Sequence, residues 1–263
     1  MKYETLILEE REGVYVLTLN RPDRLNALNE KMASELCDVF RYFDGEKGCR
    51  CVIVTGAGRA FCSGADIRER FLDRIERGVK REELLRTFPE RLLPLMVGMR
   101  KPIIAAINGP AVGFGFTFTL ACDIRIASED ARISLPFVRM GLMPEFGSTF
   151  LLPRLIGMGK ACELVFTGKM IDAREAFEMG LVNKVVPPEK LMEEAMNMAE
   201  EIRDNAPLSI QFSKRALYRG LFSSLESQLE YEGAVLEILR NTEDHKEAVR
   251  AFLEKRKPNF KGE

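Results

Sequence analysis

Histidine is almost absent from this chain of 263 residues, in which His245 is the only one. It lies in the charged stretch Asn-Thr-Glu-Asp-His-Lys-Glu, which is typical of a solvated residue near the start of a helix. Serine and cysteine hydrolases usually depend on a histidine base. The turn Cys62-Ser63-Gly64 also lacks the Gly-x-Ser-x-Gly pattern of a nucleophile elbow. The sequence therefore argues against a hydrolase of this kind.

Neither sign of charge is in excess, because 39 lysine and arginine residues stand against 40 acidic ones. This balance provides no general attraction to nucleic acid or to an acidic membrane, and we expect neither as a partner. No apolar run approaches the length of a membrane span. The first twelve residues are charged and do not resemble a secretory signal. We therefore expect a cytoplasmic protein.

The six cysteines form no CxxC pair and have no regular spacing. Cys49 and Cys51 flank an arginine on a predicted strand, where their side chains would share a face. The sequence offers no further ligands beside them, so we expect buried free thiols and no metal site.

Strand and helix patterns alternate as far as residue 186, which predicts an α/β core. From about residue 188 the patterns are helical only, so we expect a core over residues 1–187 and a helical region over 188–263. Within the core we expect a hairpin over 4–19, a helix over 29–43, strands over 51–55, 103–107 and 181–186, a helix over 80–99 broken at Pro89 and Pro94, and a helix starting just after Pro144. These patterns alone do not separate a spiral of repeated units from a doubly wound sheet.

Two glycine-rich turns each follow a predicted strand and lead towards a helix. The first lies in Gly58-Arg-Ala-Phe-Cys-Ser-Gly-Ala-Asp-Ile-Arg, and the second begins at Gly109 and contains Gly113 and Gly115. The first amides of a helix have no acceptor within it, and the helix dipole favours negative charge there. Two such turns together predict an oxyanion hole.

The strings AFCSGADIR and PIIAAINGPAVGFG resemble the two oxyanion-hole motifs of the crotonase (enoyl-CoA hydratase/isomerase) superfamily. The resemblance extends nearly end to end through LNRPDRLNALN, ACDIRIAS, GLMPEFGSTFLLPRLIG, TGKMIDAREAFEMGLVNKVV and AFLEKRKPNF. It implies a spiral of strand-strand-helix units and an acyl-CoA substrate. It also implies a C-terminal helical region through which the chain forms a trimer, or a hexamer built from two trimers. No cofactor is implied beyond the CoA moiety of that substrate.

By matching to the family motifs, the N–H groups of Ala65 and Phe114 would bind the thioester oxygen. The second position is commonly glycine in the family, but a backbone donor is retained with phenylalanine. The two glutamates of the family's hydratases match Thr117 and Phe137 here, and neither of these side chains is a general base. The resemblance thus argues against hydration by the usual mechanism.

Glu145 is the candidate base, because NGPAVG-x-x-x-T, LPF and PE resemble the peroxisomal-type delta-3,delta-2-enoyl-CoA isomerases. In that branch an acidic residue at this position moves a proton from the alpha to the gamma carbon of a 3-enoyl thioester. We expect Glu145 to lie in the same cavity as the two amides, with Thr117 and Phe137 lining its walls. Glu145 would also suit the first turn of a helix after Pro144, and both interpretations are compatible.

The family resemblance also implies a set of residues that contact CoA. These are Arg24, Ala27, Ser63, Gly64, Ala65, Asp66, Ile67 and Arg68, together with Phe252 and Lys255, which would reach the CoA of a neighbouring subunit. Without the resemblance, Arg24, Arg68 and Lys255 would be interpreted as solvated surface residues. Asp66 is also expected to cap the helix that follows it.

Three other functions stay open. Dinucleotide binding is disfavoured, because the segment from Gly113 to Phe118 lacks the third glycine of G-x-G-x-x-G. A hydratase, decarboxylase or ring-chain isomerase of the same family would use Glu145 with other helper residues. A non-catalytic acyl-CoA binding protein would keep both turns while Glu145 faces solvent.

Overall fold

The main sheet begins with an antiparallel hairpin in a computed structural model that describes residues 2–72, 76 and 88–263. The hairpin is formed by β1 (Leu6–Arg11) and β2 (Val14–Leu19). Parallel strands β3 (Cys51–Gly56), β4 (Ile103–Ile107), β6 (Ile124–Ser128) and β9 (Lys184–Val186) extend the sheet in this order. A smaller sheet contains β5 (Ala111–Val112), β7 (Arg132–Ser134) and β8 (Met170–Asp172) in that order.

Ten α-helices are present in the described part of the chain. The first six are α1 (Glu30–Gly45), α2 (Phe88–Gly98), α3 (Phe114–Leu120), α4 (Ser148–Ile156), α5 (Met158–Thr167) and α6 (Ala173–Glu178). The last four are α7 (Leu191–Arg203), α8 (Pro207–Gly220), α9 (Leu225–Arg240) and α10 (Glu243–Glu254). None of the helices within the described residues is both long and apolar enough to cross a lipid bilayer.

The main sheet separates two hydrophobic cores. The larger core packs α1, through residues such as Phe40, against one face of the sheet. The opposite face is covered by α7, which contributes Leu191, Ala195 and Ala199. Every residue of β3 is buried, as expected for a parallel strand covered on both faces. The predicted α/β class is therefore confirmed, while the domain boundary after residue 187 stays a prediction.

Several predicted elements are confirmed, and others end at different residues. The hairpin, α1, β4 and the helical region after residue 188 are present as expected. The predicted break at Pro94 is wrong, because α2 continues through it, and Pro89 is the second described residue of this helix. The remainder of that prediction, residues 80–87, lies outside the described residues.

The other differences arise from local hydrogen bonding. The predicted strand over 181–186 is reduced to β9, because the Leu181 N–H bonds back to the carbonyl of Ala176 at 2.8 Å. The helix expected just after Pro144 starts at Ser148 instead. Strands β5 and β8 were not predicted, since runs of two and three residues are too short to show a period.

Candidate active site

The two glycine-rich turns lie side by side beyond the carboxyl ends of β3 and β4. A parallel bridge joins Cys62 to Ala111, and the Val112 N–H donates to the Cys62 carbonyl at 2.9 Å. Gly64 has a φ of +103°, and a Cβ atom there would lie 2.9 Å from the Val112 oxygen and 3.9 Å from the Phe114 nitrogen. Glycine at position 64 therefore allows the two turns to approach closely.

The backbone pairing directs the Ala65 amide away from its neighbouring segment. A parallel bridge pairs Leu28 with Ala65, but its hydrogen bonds use the Gly64 carbonyl and the Asp66 N–H, each at 2.8 Å. The N–H of Ala65 itself therefore points to the opposite side. Phe114 is the first residue of α3, and first-turn amides point out of the helix N-terminus. Both residues line the same cavity.

This cavity has a volume of about 860 Å³ and a mainly apolar wall. The wall includes the two turns, residues of α2, and the segment 136–147 between β7 and α4. The Phe114 ring belongs to this wall and makes an edge contact with Phe146 at 5.4 Å between centroids. Among the described residues, the charged groups lining the cavity are Arg70, Arg139 and Glu145.

Glu145 is held in the cavity wall by an irregular backbone. The next two residues, Phe146 and Gly147, have φ values of +57° and +66°, in the left-handed region. The Glu145 carbonyl accepts bonds from the Ser148 N–H at 3.1 Å and from its Oγ at 2.6 Å. Glu145 therefore precedes α4, and the expectation that it lies in the first turn of a helix is wrong.

The environment of the Glu145 carboxyl disfavours its charged form. Burial raises the pKa of this group above its usual range, and the nearby charge of Arg70 acts in the opposite direction. No side chain in the described residues donates a hydrogen bond to the carboxylate. The pKa of such a group moves towards the pH at which a general base is effective.

The two positions that match the hydratase glutamates have different surroundings. Phe137 lines the cavity, as expected. Thr117 does not, because it is fully buried within α3 and its Oγ1 donates to the Phe114 carbonyl at 3.2 Å. The expectation that Thr117 lines the wall is therefore wrong. Neither position supplies a second carboxylate.

Only some of the residues expected to contact CoA line the cavity. Ser63, Gly64, Ala65 and Ile67 line the cavity, and Arg24 and Ala27 lie on the neighbouring loop, where the Arg24 carbonyl accepts from the Ser63 Oγ at 3.5 Å. Asp66 accepts from Arg21 at 3.1 Å and from the Glu69 N–H at 3.4 Å, which supports its capping role. Arg68 is exposed and outside the cavity wall.

Phe252 and Lys255 are far along the chain at the end of α10. The Phe252 side chain is 84% exposed, and Lys255 terminates the helix with a φ of +56°. Neither residue lines the cavity described above. Their proposed contact with the CoA of another subunit stays a prediction.

Sequence reasoning missed Arg70 and Arg139. Arg70 lies in the π-helical turn Arg68–Leu72, three residues after Ile67, and this spacing would have placed both on one helical face. Arg139 lies in the 3₁₀ turn Pro136–Met140, where no periodic pattern indicated its direction.

Comparison with known proteins gives consistent results over the whole chain. The family model described as "Enoyl-CoA hydratase/isomerase" matches residues 9–263. The chain is 42% identical to a short-chain-enoyl-CoA hydratase of Clostridium acetobutylicum, covering 98% of this chain and 97% of that protein. It is 34% identical to the 1,2-epoxyphenylacetyl-CoA isomerase of Escherichia coli, covering 98% and 99%. Hydratase names predominate among such relatives.

Solved structures share the same architecture. The enoyl-CoA hydratase of Bacillus anthracis superposes with a TM-score of 0.93 at 38% identity, covering 99% of this chain and 100% of the other. A TM-score of this size over nearly the whole chain shows that the two proteins share one fold.

Proposed function

The chain belongs to the enoyl-CoA hydratase/isomerase family, the crotonase superfamily, and we propose that it converts 3-enoyl-CoA into 2-enoyl-CoA with Glu145 as base. One observation carries this proposal: Glu145 is the only carboxylate among the described residues that line the cavity. Moving a double bond requires one group that takes and returns a proton, whereas the hydratase mechanism implied by the family resemblance uses two carboxylates.

The reaction would proceed in two proton transfers. The Glu145 carboxylate removes a proton from the alpha carbon, and the electrons of the broken C–H bond delocalise onto the thioester oxygen. The Ala65 and Phe114 amides donate to this oxygen as negative charge develops on it. The protonated carboxyl then delivers the same proton to the gamma carbon, which leaves the double bond conjugated with the thioester.

The surroundings of Glu145 support both transfers. A carboxyl with a raised pKa is a stronger base than an ordinary glutamate, and it retains the proton until the gamma carbon accepts it. The cavity wall around Glu145 is mainly apolar and includes Phe137 and Phe146. Such a wall offers few groups that could hold a water molecule at the reacting carbon, which favours isomerisation over hydration.

Hydration of 2-enoyl-CoA is the second candidate. The observation in its favour is the number of hydratases among the relatives, including the one at 42% identity. In this case the single carboxylate of Glu145 would have to activate the water and also protonate the alpha carbon.

Parallel assays of 3-hexenoyl-CoA isomerisation and 2-hexenoyl-CoA hydration separate these candidates. We expect isomerisation to be faster, and Glu145→Gln to lower it by at least about a hundredfold, the usual contribution of a general base. Glu178→Gln, an exposed change in α6 outside the cavity, serves as the matched control. Rapid hydration that survives Glu145→Gln would refute the assignment.

We further propose that the chain associates with copies of itself, as a trimer or as two trimers. The support is a set of exposed apolar side chains on and beside α8, α9 and α10: Leu217, Leu221, Phe222, Leu225, Leu229, Leu236, Ile238, Val249, Phe252 and Leu253. Such a surface in water indicates an interface. A monomer by light scattering at micromolar concentration would contradict this proposal.

A further inference from the structure

The candidate base shares its cavity with a cation that no part of the proposed reaction uses. The Arg70 side chain lines the cavity wall and is only 11% exposed, which is low for an arginine. It lies in the π-helical turn Arg68–Leu72, directly after the turn that supplies the Ala65 amide. Its Nη1 atom is 3.7 Å from the carboxylate of Glu30, whose side chain is 62% exposed.

The other charged group of the wall is engaged elsewhere. Arg139 is exposed, and its Nε and Nη2 atoms donate to the Thr167 carbonyl at 3.1 and 2.9 Å. The described residues of α2 that line the cavity, Leu93 and Pro94, carry no charge. Within the described part of the cavity, Arg70 is therefore the buried cation that acts on Glu145.

A carboxylate in an apolar cavity needs such a cation to remain charged. Burial favours the protonated carboxyl, which is unable to accept a proton from substrate. A positive charge in the same low-dielectric space stabilises the carboxylate without bonding to it. The Arg70 guanidinium also faces the Glu30 carboxylate at 3.7 Å, so its charge acts on both acids.

We propose that Arg70 is a positioning residue of the reaction, which keeps Glu145 in its ionised form between turnovers through its charge in the shared cavity. This inference rests on the proposed role of Glu145 as base. It adds that the residue five positions after Ala65 sets the pH range in which that base is available.

The first test is the pH dependence of kcat/KM for 3-hexenoyl-CoA in Arg70→Met and Arg70→Lys. In Arg70→Met we expect the acid limb of the profile to move to higher pH, because loss of the cation raises the pKa of Glu145 further. Activity should be about tenfold lower than that of the parent on this limb and should approach that of the parent at the alkaline end of the profile. Arg70→Lys retains the charge and should move the limb less. Arg174→Met, which removes an exposed arginine of α6, is the matched control.

The second test does not depend on activity. The difference in Tm caused by Glu145→Gln is measured against pH in the parent and in the Arg70→Met background. We expect a larger gain in Tm above neutral pH in the Arg70→Met background, because the buried carboxylate has lost its cation. Equal gains in both backgrounds, or a loss of activity that is uniform across pH, would overturn the inference about Arg70. Retained isomerisation in Glu145→Gln would instead refute the proposed base, and the two failures are thereby distinguishable.

Discussion

The Nζ atom of Lys214 donates to Oδ2 of Asp123 at 2.8 Å, across 91 residues of sequence. Lys214 also donates to the carbonyl of Lys101 at 3.0 Å, and Asp123 accepts from the Ile103 N–H at 2.7 Å and from the Tyr218 hydroxyl at 3.0 Å. The carboxylate of Asp123 thus connects α8 to the start of β4. This largely buried network attaches the C-terminal helices to the sheet beside which the candidate site lies.

Replacement of Lys214 by an apolar residue tests whether its bonds to Asp123 and to the Lys101 carbonyl stabilise the fold. Lys214→Met should lower the free energy of unfolding by about 3–5 kcal/mol, because the Asp123 carboxylate stays largely buried without its cation. Urea unfolding would measure the change. Lys160→Met, at an exposed position of α5, should alter it by less than about 0.5 kcal/mol. A similar value for both variants would show that the network does not stabilise the fold.

Glu145 should lower the stability of the fold at the pH where its proposed role as base requires the carboxylate. Burial raises its pKa in the folded state, so the folded protein holds this proton at pH values where the unfolded chain has released it. Stability falls as pH rises from the ordinary glutamate pKa of about 4.3 through the raised value. Glu145→Gln should therefore increase Tm above neutral pH and leave it nearly unchanged near pH about 4. Scanning calorimetry across this range measures the effect, and an equal gain at every pH would contradict it.

The close approach of the two turns depends on Gly64. An alanine there has to adopt a φ of +103° and place its Cβ 2.9 Å from the Val112 oxygen. We expect Gly64→Ala to displace the Ala65 amide and to lower kcat about a hundredfold, the effect of losing one oxyanion donor. Gly98→Ala is the control, because its added Cβ meets nothing within 4 Å. Steady-state kinetics on both variants would test this, and equal activities would argue against the assigned donor.

Thiol reactivity should distinguish one cysteine from the other five. Cys37, Cys49, Cys51, Cys62 and Cys122 are buried, and Cys162 is partly exposed. Burial raises the pKa of the Cys49, Cys62 and Cys122 thiols to about 12, so few thiolates form at neutral pH. A soluble thiol reagent should therefore modify one group per native chain and six after denaturation. Rapid modification of a second thiol would indicate local opening.

The sequence predicted most of the fold because its long elements have clear periods. Helix α1 carries buried residues such as Met32, Leu36 and Phe40 on one face, and β4 is a continuous apolar run. The helix predicted after Pro144 failed for a local reason. Phe146 takes a left-handed conformation that is uncommon for a bulky residue, and it delays the helix to Ser148.

The candidate site was predictable where the chemistry uses the backbone. The turns containing Ala65 and Phe114 follow apolar runs typical of buried strands and contain glycines, and the amino-acid sequence alone indicates both features. The contribution of Arg70 was not visible, because it depends on how the turn after Ile67 faces a segment about 75 residues later. Charge coupling between distant segments leaves no pattern in a single sequence.

Both candidate donors to the thioester oxygen are main-chain amides, so evolutionary substitution affects them less than it affects side-chain groups. Substitution at positions 65 and 114 alters shape but not donor chemistry, with proline as the exception. The groups proposed to transfer protons are side chains: Glu145 here, and in the family's hydratases two glutamates at the positions of Thr117 and Phe137, so that one substitution removes or adds such a group. The two amide donors are therefore retained in any sequence that keeps the fold, whereas the reaction depends on a few side chains around them.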